Sequence, residues 1–176
     1  MHAMRRSLRT GFVLAFMTAS VSGGAQPRFP VDTVLFICEH GTVKSLFAKL
    51  EFERLAREEG WSTVALSRGS SADAAVPPWM QRALAGDGFS LGAWQPKQLT
   101  ARDIAGAQLI VSFDLPAGTL PPGPVPRLAW DGLPGLSQDY AKGRDAIRAR
   151  VRQLVDSIRT VSTKSPRRSQ SATRTP

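Results

Sequence analysis

The stretch VDTVLFICEHGTVKSLFAKLEFERLAREEG, residues 31–60, decides the fold. Val31 to Ile37 is a short apolar, β-branched run, the composition of a parallel strand buried on both faces. Cys38 to Lys44 reads as a loop. Ser45 to Glu59 reads as a helix, with Leu46, Leu50 and Leu55 on its inner face beside Phe47 and Phe52, and Gly60 supplies a stop. A strand that passes through a short loop into a helix is half of a β–α–β unit.

The alternation continues outward. Ser62 to Leu66 is a second strand. Pro77-Pro78 opens a helix running to about Ala85, closed by Gly86 and Gly88. Thr100 followed by Asp103 marks the start of a helix of one or two turns. Leu109 to Phe113 is a third strand and Arg127 to Trp130 a short fourth. Ile147, Val151, Leu154, Val155 and Ile158 recur at helical spacing, so a long amphipathic helix closes the domain from about Ser137 to Arg159. The fold class is therefore α/β. An open parallel sheet of four strands lies within a three-layer α/β/α arrangement, and ligand sites in such sheets lie beyond the carboxyl ends of the strands. Cys38 stands at one such end.

Composition narrows the function. A length of 176 residues fits one domain, and 42% hydrophobic content supplies a core. The single cysteine excludes a disulfide framework and a cysteine-rich zinc site. The net charge is +9, of which residues 1–25 carry +3 and residues 160–176 carry +4, leaving +2 for the rest. The basic pI thus reflects the ends, and nucleic acid is not an expected partner. Residues 1–25 have the basic, apolar and small-residue order of a secretory signal, with Ala25–Gln26 the expected cut. The domain is expected over residues 26–159, periplasmic or secreted and without a membrane span once the signal is removed. Thr160 to Pro176 is expected to be a disordered basic tail.

The segment Cys38-Glu39-His40-Gly41-Thr42-Val43-Lys44-Ser45 carries the chemistry. Amides at a helix start, with the partial positive charge of the helix end, form a cradle for an anion. A thiol placed there is favoured as thiolate. Lys44 adds a full charge, Ser45 can hydrogen-bond the sulfur, and Gly41 permits positive φ. Cys38 alone would read as a structural buried thiol; its neighbours turn the reading toward a nucleophile. Lys44-Ser45 also ends a nucleotide P-loop pattern, but Cys38 and Val43 occupy both glycine positions and exclude that reading.

On these residues the chain resembles the superfamily of low-molecular-weight protein tyrosine phosphatases and thioredoxin-coupled arsenate reductases. The family loop C-x5-R-[ST] appears here as C-x5-K-S. Ser67-Arg68-Gly69 follows the second strand where the family often has Ser-Ala-Gly, LIVSFD (109–114) matches the third strand, and Asp131 stands where the family keeps a general-acid Asp before Pro. The resemblance implies hydrolysis of a phosphomonoester, with no cofactor or metal. Cys38 would form a cysteinyl-phosphate, amides from Glu39 through His40, Gly41, Thr42, Val43 and Lys44 to Ser45 would hold the oxyanion, and Asp131 would act as acid and then base. Asp139 competes for the acid role, but its place at a helix start suits capping. The implied partner is a phosphorylated small molecule, a phosphoprotein or another oxyanion.

Three departures qualify that implication. Lys44 replaces a planar, bidentate arginine with a point charge, and Arg68, otherwise a solvated side chain, is the only nearby substitute fork. The acid motif is relaxed to Asp131-Gly132-Leu133-Pro134. Cys38 has no second cysteine, so arsenate reduction would need an external thiol. The alternatives are a non-catalytic oxyanion-binding module and such a thiol-dependent arsenate reductase. His40 is a proton carrier, an oxyanion contact or a structural residue, and Trp79, Trp94 and Trp130 read as core or as pocket walls.

Overall fold

A computed structural model describes residues 31–164. The elements are β1 (Thr33–Cys38), α1 (Lys44–Glu58), β2 (Val64–Gly69), α2 (Pro78–Gly86), α3 (Ala101–Gly106), β3 (Leu109–Ser112), β4 (Arg127–Ala129) and α4 (Tyr140–Lys164). The four strands form one parallel sheet in the order β2-β1-β3-β4. β1 and β3 lie at its centre, which is why their sequences are apolar without interruption.

Alternation along β1 divides the core. Val34, Phe36 and Cys38 face the larger cluster with Phe47, Phe52, Met80, Ile147 and Val151, so α1, α2 and α4 cover this face. Leu35 and Ile37 face a smaller cluster with Ala107 and Ile110, closed by Ile104 of α3 and by Leu115, Leu120 and Val125 of the connection to β4. The second outer layer is therefore thin, one short helix and a proline-rich loop. Each large apolar side chain that is fully buried contributes about 1.5–3 kcal/mol. Phe36, Phe47, Phe52 and Phe113 are among those with almost no exposure.

Element order follows the sequence expectation, and the bounds of β2 and α4 shift most. β2 runs Val64–Gly69, rather than starting at Ser62 and ending at Leu66. Its far end is held by pairing of Cys38 with Gly69 in the β1 register and by a bridge from Gly69 to Gln98. α4 begins at Tyr140 and continues through Lys164, so Thr160 to Lys164 belong to the helix and not to a tail. The hydroxyls of Ser157 and Thr160 bond back to the carbonyls of Gln153 and Asp156 within the helix. Arg68 is not solvated; its guanidinium pairs with Asp103 at 2.8–2.9 Å and donates to the Ser67 carbonyl. The expected signal at residues 1–25 and the chain after Lys164 lie outside the described residues.

Trp130 is core, packed edge-on against Phe113 with ring centroids 5.5 Å apart and tilted against Phe36 at 6.2 Å. Trp79 and Trp94 are half-buried and pack against the same cluster.

Candidate active site

β1 ends at Cys38 and α1 starts at Lys44, so residues 39–43 must turn within a few residues. Gly41 takes φ +71°, and a Cβ there would stand 2.6 Å from the Gly69 nitrogen. A side chain is excluded on both counts. The chain after β2 grips the outside of the loop. The amides of Ser70, Ser71 and Asp73 donate to the carbonyls of Cys38, Glu39 and His40 at 3.1, 2.8 and 3.1 Å. The Ser67 hydroxyl lies 3.1 Å from the Gly41 carbonyl. With three successive carbonyls drawn outward, the peptide N–H groups are turned inward. The Gly41 amide donates to Cys38 Sγ at 3.2 Å. The amides of Glu39, His40, Thr42 and Val43 have no acceptor among the described residues. Val43, the N-cap of α1, makes no side-chain cap, so the first amides of the helix are open toward the same space.

Cys38 is 8% exposed. It lies at the floor of a cavity of about 240 Å³ whose walls include His40, Lys44, Phe113, Asp114 and Leu136. Ser45 Oγ stands 3.0 Å from the sulfur, and Ser67 Oγ donates to Ser45 Oγ at 2.9 Å. Both serines are completely buried. Each hydroxyl has one proton, so a Ser67→Ser45→Cys38 chain delivers a donor to the sulfur, which suits a thiolate. Asp73 braces the loop from outside: it accepts from the Thr42 hydroxyl at 2.7 Å and stands 3.1 Å from His40 Nδ1. Thr42 is fully buried, whereas Glu39 and His40 are exposed at the rim.

Lys44 does not lie beside the sulfur as a free cation. Its Nζ is 2.5 Å from Asp114 Oδ2 and donates to the Leu133 carbonyl at 2.8 Å. Asp114 follows β3 with φ +49°, the one non-glycine residue with positive φ among the described residues. Its other oxygen accepts from the Gly132 amide at 2.7 Å, and its own amide donates to Asp131 Oδ1 at 2.9 Å. Burial pushes the Asp114 carboxyl up, but the hydrogen bonds from Lys44 and Gly132 outweigh it and hold the group below the usual carboxylate range.

The structure thus gathers Cys38, the 39–45 loop and Ser45 at one place. Asp131 Oδ1 accepts from the amide of Asp114, a residue of the cavity wall. Asp139 caps α4 through the Lys142 amide at 3.0 Å. Sequence reasoning missed Asp114 as a site residue, as well as the roles of Asp73 and Ser67. The signal available for Asp114 was its position directly after a β3 carboxyl end, the same rule that marked Cys38.

A parallel sheet whose first strand feeds a cysteine into an amide-lined loop at a helix start defines a cysteine-loop α/β protein. The domain is similar to low-molecular-weight protein tyrosine phosphatases and thioredoxin-dependent arsenate reductases. Residues 33–118 match the family described as low molecular weight phosphotyrosine protein phosphatase; Asp131 lies beyond that match. A thioredoxin-dependent arsenate reductase from Corynebacterium glutamicum is similar at 25% identity and TM-score 0.64, over 75% of this chain and 64% of that one. An arsenate reductase from Archaeoglobus fulgidus shares 27% identity at TM-score 0.55, over 70% of this chain and 98% of that one. A low molecular weight protein tyrosine phosphatase from Bacillus subtilis shares the fold at TM-score 0.62 and 20% identity, over 73% and 97% of the two chains. No curated protein matches the chain.

Proposed function

We propose that the protein is a cysteine-dependent phosphomonoesterase. The observation that carries this reading is the Cys38 sulfur at the floor of a cavity, 3.0 Å from Ser45 Oγ and 3.2 Å from the Gly41 amide, under amides that have no acceptor. The sulfur attacks phosphorus, the bond to the leaving oxygen breaks, and loop amides hold the equatorial oxygens. Asp131 protonates the leaving oxygen and then takes a proton from the water that hydrolyses the thiophosphate. Asp131 suits this role better than Asp114, which Lys44 and Gly132 keep anionic. Ser45 returns its hydrogen bond to the sulfur as the thiolate leaves.

Hydrolysis of 4-nitrophenyl phosphate by the full chain, with Cys38→Ser as control, tests the reading. Turnover that persists with a chelator present, stops with vanadate and disappears in Cys38→Ser supports it; equal rates for parent and Cys38→Ser overturn it.

A second reading is arsenate reduction. It is favoured by the two reductase structures, whose identities of 25% and 27% exceed the 20% of the phosphatase. Cys38 would attack arsenic, and an arsenate hydroxyl would leave as water, giving a thioarsenate ester. An external thiol would then attack the Cys38 sulfur, the As–S electron pair would leave with arsenite, and a second thiol would free Cys38 from the mixed disulfide. Glutathione-dependent arsenite formation separates the two. Residues 1–25 support export; loss of this segment from the protein recovered outside the cytoplasm would test that.

A further inference from the structure

We infer that Asp114 engages the Lys44 ammonium at the wall of the Cys38 cavity, so that an anion arriving above Cys38 competes with Asp114 for it. The inference rests on the reading of the loop as an oxyanion cradle. An ammonium has three donors. Two are used, one on Asp114 Oδ2 at 2.5 Å and one on the Leu133 carbonyl at 2.8 Å. The lysine side chain is 18% exposed, so the pair is partly shielded from water and stronger than a surface pair.

Asp114 is aimed at Lys44 from both sides. Its backbone takes the left-handed conformation, its free oxygen is occupied by the Gly132 amide, and its amide is bound to Asp131. One donor is left for an arriving oxyanion, and the charge behind it is already balanced by Asp114, so a second hydrogen bond to the anion has to be taken from Asp114. Asp114 is a positioning residue. It lowers anion affinity by competing for the ammonium.

Asp114→Asn tests this. Asparagine tolerates the left-handed backbone and still offers an oxygen to the Gly132 amide, so the substitution removes little besides the charge. Binding of inorganic phosphate is measured by calorimetry on the full chain in a Cys38→Ser background. Asp114→Asn should tighten it about tenfold, as expected when a competing charge pair of modest strength is removed. In the Cys38 protein, inhibition of 4-nitrophenyl phosphate hydrolysis by phosphate should tighten likewise. A purely structural role would weaken both. If Asp114→Asn did not fold, Asp114→Gly, which keeps the backbone, carries the same expectation. A parent that binds phosphate and a folded variant that binds no tighter overturn the tether alone. Absence of binding in both overturns the cradle as well. Binding that appears only in the variant supports the tether.

Discussion

Gly41 and Gly69 meet back to back: a Cβ on Gly41 would lie 2.6 Å from the Gly69 nitrogen, and one on Gly69 would lie 2.8 Å from the His40 carbonyl carbon. The loop after β1 and the end of β2 are thus locked by the absence of two side chains. Everything in the cradle follows from that approach, because it lets Ser70, Ser71 and Asp73 hold the carbonyls of residues 38–40.

Gly41→Ala should accordingly damage stability and binding together. The left-handed backbone costs a non-glycine residue about 1–2 kcal/mol, and overlap with backbone atoms adds to that. Thermal unfolding should fall by roughly 5–10 °C, and phosphate binding should disappear even below the transition. A variant that melts like the parent and binds phosphate normally would show that the loop does not need this geometry.

Ser45→Ala removes the donor nearest the sulfur, and Ser67→Ala removes the donor behind it. Both serines are buried, so an unpartnered neighbour costs about 1–3 kcal/mol. Alkylation of Cys38 by iodoacetamide at pH 6 should slow several-fold in Ser45→Ala and less in Ser67→Ala. Ser45→Thr should recover part of the loss, provided its methyl group fits. Equal alkylation rates across the series would mean that the hydroxyl chain does not act on the sulfur.

The sheet was legible because β1 and β3 are central strands and are apolar without interruption, and the site was legible because Cys38, Gly41 and Ser45 fall within a single loop. What sequence could not supply was the direction of long side chains. Lys44 was expected to add charge beside the thiol, yet it reaches across to Asp114, 70 positions away. Arg68 looked solvated because nothing nearby in sequence pairs with it; its partner Asp103 lies 35 positions on. The end of α4 was misplaced because Ser, Thr and Lys after Arg159 resemble a tail, while the helix runs on through Lys164.

Asp103 links the edge of the sheet to α3. Burial raises its carboxyl, but hydrogen bonds from Arg68 and Thr100 lower it further, so the group lies below its ordinary value when folded. A depressed carboxylate contributes stability above its unfolded pKa and loses that contribution as pH falls through the folded one. Asp103→Asn should therefore cost about 1–2 kcal/mol at pH 7. The gap to the parent in urea midpoints should shrink as pH drops below about 4. A gap that stays constant down to acid pH would place the loss in the capping geometry and not in charge.

Lys44→Arg addresses the position at which this loop departs from the C-x5-R-[ST] pattern that it resembles. Lysine presents one nitrogen, which Asp114 and the Leu133 carbonyl already occupy. A guanidinium spreads five donors over a plane. It can keep one edge on Asp114 and turn another to two oxygens of a bound phosphoryl group. In Lys44→Arg, kcat/KM on 4-nitrophenyl phosphate should rise about 10–100-fold, the scale of regaining one preorganised contact to developing charge. Most of the change should appear in kcat, because the fork fits the transition state better than the ground state. A variant with unchanged or lower kcat and intact phosphate binding would show that the loop geometry has adapted to lysine and that turnover does not depend on a fork at this position.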